Sequence, residues 1–151
     1  MKKVFLSFCF LLSTYAFSAN LHYSLIKKES GKEGSTLLIV GGIHGDEPGG
    51  YFAPMLLARY YKIESGNLWI VPNLNFDSIV KNSRGINGDM NRKFAKIETK
   101  DKDFDTVAEV KKLILNPKVD LTLNLHDGQG FYRDRQIDKN FNPKAWGQAT
   151  I

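Results

Sequence analysis

The sequence predicts an α/β protein built on a mixed, largely parallel sheet flanked by helices, and three observations point there. Thr36–Val40 and Asn67–Val71 are short, continuously apolar runs of the kind that form strands buried on both faces, and residues 119–125 read as a third strand. Between these runs lie stretches with apolar residues at helical spacing, starting at Pro48 and at Phe104. Each run is closed by a turn signal, Gly41-Gly42 or Pro72, and Pro117 ends the second helical stretch. Strands that alternate with helices pack as parallel neighbours, and such sheets bind ligands beyond the carboxyl ends of their strands.

Taken in order, residues 1–19 have the form of an export signal. Lys2 and Lys3 precede an apolar stretch at 4–12, and Ala16 and Ser18 supply small residues for cleavage near Ala19. The apolar stretch is about half the ~20 residues needed to span a bilayer, so cleavage and a periplasmic location are expected. Residues 21–26 read as an edge strand, followed by a polar turn from Lys27 to Gly34. After the strand at Thr36–Val40, Pro48 sits in the first turn of a helix whose apolar side includes Phe52, Met55 and Leu56. Residues 73–104 are loop-rich, and 104–115 form a helix with Val107, Val110, Leu113 and Ile114 on one side. No periodicity remains from His126 onward. Residues 20–151 hold no linker or internal repeat and are read as part of a single domain.

Composition narrows the function. At 151 residues, 42% hydrophobic and 25% charged, the chain suits one globular domain. Of the 21 Lys and Arg residues, two lie in the export segment, leaving only a small excess over the 16 acids. The basic residues are scattered and lack interleaved aromatics, which argues against nucleic acid. The single cysteine, Cys9, falls in the export segment, so any metal site in the mature chain must use His, Asp and Glu.

The segment from Gly41 to Glu47 places His44 and Glu47 three residues apart on a glycine-rich turn at a strand end. A catalytic zinc takes three protein ligands and keeps one position open, so a second imidazole is required. The candidates in the mature chain are His22 and His126, and His126 directly follows the third strand. Separately, the loop from Asn82 to Arg92 carries Arg84 and Arg92, whose guanidinium forks suit a carboxylate or an oxyanion, with Asn91 as a neutral donor. The alternative is a solvated loop in which both arginines pair with Asp89 or another acid.

The ordered set His44-x-x-Glu47, Asp89-Met90-Asn91-Arg92 and Asn124-Leu125-His126-Asp127-Gly128 resembles the zinc carboxypeptidase superfamily, which includes aspartoacylase and succinylglutamate desuccinylase. Within it the chain is most similar to peptidoglycan DL-carboxypeptidases that set the shape of helical bacteria, where a similar His-Asp-Gly precedes Gly-Phe-Tyr, here Gly130-Phe131-Tyr132. The resemblance implies a carboxypeptidase-like fold and one catalytic Zn2+ held by His44, Glu47 and His126. It also implies a substrate carboxylate held by Asn91 and Arg92, and Arg84 as the group that polarises the scissile carbonyl. The implied reaction is hydrolysis of the terminal amide of a peptidoglycan stem peptide, tripeptide to dipeptide. Asp127 is open to two roles, a hydrogen bond to a ligand or a cap on the next turn.

The chain departs from that family in one respect. Its members use a glutamate beyond the third ligand as general base, and only Asp127, Asp134 and Asp138 follow His126 here. A positioned base contributes about 10²–10⁴-fold. The expectation is a chain incomplete at its C-terminus, with a metal cradle, a weakened or absent base, and poor solubility from open strand edges. The alternatives are an aspartoacylase-like amidohydrolase and a non-catalytic muropeptide-binding remnant.

Overall fold

The computed structural model describes residues 23–128 and 130–144, so the export segment, Cys9 and His22 lie outside the described residues. The elements in order are β1 (Ile26–Glu29), β2 (Thr36–Val40), α1 (Pro48–Tyr60), β3 (Asn67–Val71), α2 (Phe76–Val80), α3 (Met90–Lys93), α4 (Phe104–Ile114) and β4 (Leu121–Asn124). Two-residue strands β5 (Phe131–Tyr132) and β6 (Phe141–Asn142) follow and pair with each other. The first four strands form one sheet in the order β1-β3-β2-β4. Strand β2 runs parallel to both β3 and β4, and β1 runs antiparallel to β3, which is the expected mixed, largely parallel sheet.

Burial on both faces explains the apolar runs. Successive side chains leave a strand on opposite faces. Leu38 and Val40 therefore join Trp69 and Val71 on one side, where Val107 and Val110 of α4, Leu74 and Met90 cover them. Ile39, Leu68 and Ile70 take the other side, against Leu57 and Ala58 of α1. Helix α4 follows its sequence reading, with Val107 and Val110 buried one turn apart and Leu113 and Ile114 packed beside them.

Four details differ from the sequence reading. The strand expected at 21–26 is found at Ile26–Glu29, sharing only Ile26 with that reading and running on into the stretch read as a turn. Its ladder to β3 uses backbone groups and tolerates edge lysines, and Lys27 Nζ lies 4.0 Å from the centre of the Trp69 ring. In α1 the apolar residues Phe52 and Leu56 are exposed, while Gly50 and Pro54 are buried. Gly50 packs so close to β4 that an added Cβ would lie 2.9 Å from the Leu125 carbonyl, and that approach decides which side of the helix faces the sheet. The third strand is short and largely exposed, because β4 is the sheet edge among the described residues. The loop-rich stretch holds two short helices, α2 and α3. No helix among the described residues is long and apolar enough to cross a membrane.

One cationic clamp fixes the loop that carries Asp89, Asn91 and Arg92. Lys93 Nζ donates to Asn87 O at 2.7 Å, Asp101 Oδ1 at 2.8 Å and Asp103 Oδ2 at 2.7 Å. Burial works against the charged ammonium, but the two carboxylates outweigh it and raise the Lys93 pKa. Lys93→Met is expected to lower stability by about 1–2 kcal/mol, read by urea unfolding at pH 7. Because the folded pKa is raised, the wild-type advantage should be complete below pH 10.5 and fade as the pH rises through the folded value.

Candidate metal centre

The turn after β2 is held from three sides. Gly41 makes backbone bonds to the end of β3 and the segment after it, its N–H donating to Val71 O at 2.7 Å and its carbonyl accepting from Leu74 N–H at 3.0 Å. The Asn75 amide donates to Ile43 O at 3.3 Å. Gly45 N–H donates to Ser83 O at 2.9 Å, and an added Cβ at Gly45 would lie 2.0 Å from the Ser78 carbonyl, so only glycine lets the turn lie against the backbone of α2. His44 is left only 2% exposed, its ring fixed by this packing.

Both imidazoles then meet one carboxylate. His44 Nδ1 lies 2.8 Å from Glu47 Oε1, and His126 Nδ1 lies 2.7 Å from Glu47 Oε2. The parallel register of Val40 with Asn124, extended by Leu125 N–H donating to Val40 O at 2.8 Å, brings His126 beside the turn. The ring centroids are 4.9 Å apart. One donor atom from each of His44, Glu47 and His126 lies within 4.8 Å of the others. Two imidazole nitrogens and one carboxylate oxygen form a zinc-type donor set, and bonds of about 2.0–2.2 Å require donors gathered on this scale. The residues present fit such an ion.

The outer nitrogens of both rings are also engaged. His44 Nε2 lies 2.8 Å from Asp89 Oδ1, and His126 Nε2 lies 3.0 Å from the Asn124 side-chain amide. Partners of this kind orient ligating imidazoles. Sequence reasoning gave neither residue that role. The available signal was positional for Asn124, since residues two apart on a strand share a face with His126. For Asp89 no local pattern pointed to a histidine 45 residues away.

Arg84 bridges the two acids, with Nη1 3.1 Å from Glu47 Oε1 and Nε 3.1 Å from Asp89 Oδ2. The pairing of Arg84 with Asp89 allowed by the sequence is therefore present, and it includes Glu47 as well. Arg92 is 80% exposed and 3.9 Å from Asp89, so its guanidinium faces solvent. Asn91 sits beside it on α3, its backbone N–H donating to Asp89 Oδ1 at 3.0 Å. Asp127 sends its carboxylate to Gly49 N–H at the start of α1, while its own N–H donates to Glu47 Oε2 at 3.2 Å.

Burial alone would raise the acids. At Glu47 it is outweighed by hydrogen bonds from His126 and His44, so the carboxyl is lowered and stays ionised. At Asp89 burial is likewise outweighed, by bonds from His44 and Arg84, and the pKa falls to about 2.

Residues 1–151 match the family described as "Carboxypeptidase controlling helical cell shape catalytic". No curated protein matches the chain. Among solved structures, the product-bound cell shape determinant Csd4 of Helicobacter pylori is 42% identical with a TM-score of 0.78, covering 82% of this chain and 31% of its own. Csd4 has also been solved bound to tripeptide and to mDAP, and is described as a D,L-carboxypeptidase. The ectoine utilization protein EutE (DoeB) of Ruegeria pomeroyi is 30% identical with a TM-score of 0.57, covering 70% of this chain and 33% of its own. A succinylglutamate desuccinylase/aspartoacylase of Rhodobacter sphaeroides is 28% identical with a TM-score of 0.57, covering 68% of this chain and 32% of its own. The chain thus spans about a third of the length of the structures it matches. With that match over its whole length, the chain belongs to the family of carboxypeptidases controlling helical cell shape.

Proposed function

We propose that this chain forms the metal-binding part of an exported, periplasmic zinc D,L-carboxypeptidase that trims peptidoglycan stem peptides from tripeptide to dipeptide and thereby helps to set cell shape. The observation that carries this reading is the single Glu47 carboxylate shared by His44 and His126 at 2.8 and 2.7 Å. These three residues would hold one zinc ion. When bound, zinc polarises a carbonyl and lowers the pKa of water to near ~7.

The chain's own residues do the rest. Arg84, half exposed and within reach of both acids, is placed to turn its guanidinium toward the oxygen of the scissile carbonyl and stabilise the charge that develops there. Arg92 and Asn91, side by side on α3, offer a solvent-facing fork and an amide to the terminal carboxylate of the peptide. Two of the acids after His126 are committed elsewhere. Asp127 accepts from Gly49 N–H, and Asp138 accepts from the N–H groups of Asn140 and Phe141, so neither is offered as the base.

The amidohydrolase reading is the rival. The D,L-carboxypeptidase reading is favoured by 42% identity to Csd4 against 28% to the aspartoacylase-type protein, and by the export signal.

Purified chain is expected to retain about one zinc by elemental analysis, and His126→Ala to lose it; zinc-free wild type would sink the metal reading. Asp89→Asn, which leaves His44 Nε2 without its carboxylate, should weaken zinc binding by about 10–100-fold in chelator competition. With muramyl tripeptide as substrate, slow release of the terminal residue is expected, because no acid after His126 is offered as the base, and Arg84→Ala should slow it by a further ~10²–10³-fold at unchanged zinc content. Hydrolysis of N-acyl amino acids in its place would favour the amidohydrolase.

A further inference from the structure

The ligand set reaches the site in two pieces, the turn with His44 and Glu47 and the strand end with His126. Asp127 joins these pieces by both its backbone and its side chain. Its N–H donates to Glu47 Oε2 at 3.2 Å, and its Oδ2 accepts from Gly49 N–H at 2.8 Å.

This second bond fills a role that Glu47 leaves open. Glu47 occupies the N-cap position of α1 but makes no side-chain cap bond, its carboxylate being taken by the two imidazoles. The unpaired N–H of Gly49 in the first turn is satisfied from β4's end instead, by a negative charge at the positive end of the helix. A Cβ added at residue 49 would lie 2.2 Å from Asp127 Oδ1, so a larger residue there would push the carboxylate from its place.

The other end of the same strand pair carries a comparable staple away from the site. Asp120 Oδ2 accepts from Thr36 N–H at 2.7 Å. Asp120 thus pins the start of β4 to β2 and Asp127 pins its end to the start of α1, and only Asp127 adjoins the ligands.

We propose that Asp127 is a positioning residue that holds His126 against the His44–Glu47 turn and so sets the affinity of the site for its metal. The inference rests on the metal reading above and adds to it a residue that touches neither metal nor substrate. The turn leading into α1 and the segment leaving β4 contribute ligands from opposite sides of this bond. Without it, the start of α1 and the end of β4 are free to drift relative to each other, while each piece keeps its own fold.

The test measures zinc dissociation constants by chelator competition, together with the melting temperature of the zinc-free protein, for the full chain and four variants. Asp127→Ala should weaken zinc binding by about 10–100-fold. Asp127→Asn keeps an oxygen for Gly49 N–H and should recover most of that loss. Gly49→Ala, which displaces the carboxylate, should weaken binding as Asp127→Ala does. Asp120→Ala should lower the melting temperature without changing the zinc affinity. If Asp127→Ala binds zinc as wild type does, the inference is wrong. It is equally overturned if Asp120→Ala and Asp127→Ala weaken binding alike, because the effect then follows stability alone. Wild type that binds no zinc would defeat the proposed function and this inference together, a result distinct from equal affinity in wild type and variant.

Discussion

The site depends on one carboxylate whose two oxygens are taken by different imidazoles. Glu47 reaches both because β2 and β4 are hydrogen-bonded parallel neighbours, about 4.8 Å apart, and their carboxyl ends lie side by side. The turn after β2 supplies His44 and Glu47 from within one helical step, and the end of β4 supplies His126. A shift of β4 by one residue would turn His126 to the other face of the sheet. Register is therefore as much a part of the site as the side chains are.

Around that carboxylate, charge is balanced over a short distance. His44 lies between Glu47 and Asp89, and Arg84 spans the same two acids from the solvent side. Each acid is partly buried, which alone would favour its neutral form, and each is nevertheless held ionised by the bonds it accepts. Buried polar groups in such a cluster are tolerable only while each keeps its partners. Arg84 therefore serves the arrangement electrostatically, besides the role proposed for it toward substrate.

Much of this was legible in the chain. The runs at Thr36–Val40 and Asn67–Val71 are buried on both faces, and that requirement shows directly as continuous apolar sequence. Helix α4 was legible because its buried residues recur at helical spacing. The apolar side of α1 was misleading, since Phe52 and Leu56 follow the same spacing yet point to solvent. Close approach at Gly50 governs that helix, and a glycine leaves no hydrophobic signature. Strand β1 was misplaced for a related reason, because an edge strand is selected by backbone pairing and can be rich in lysine. At the site, the three gathered donors stood out as the few histidines at strand ends with a nearby acid. The partners Asp89 and Asn124 did not, because their roles are defined by where two strands and a loop meet.

The separation of the donors along the chain has its own consequence. His44 and Glu47 are local, whereas the bond from Glu47 to His126 spans 79 residues. Closing so long a loop costs conformational entropy, which is recovered only when β4 docks against β2. A folding intermediate containing β2, α1 and β3 would hold two of the three ligands, and the third would arrive when β4 docks against β2. An ion held by all three donors would then report the docking of β4 against β2, and it would stabilise only the state in which β4 has docked.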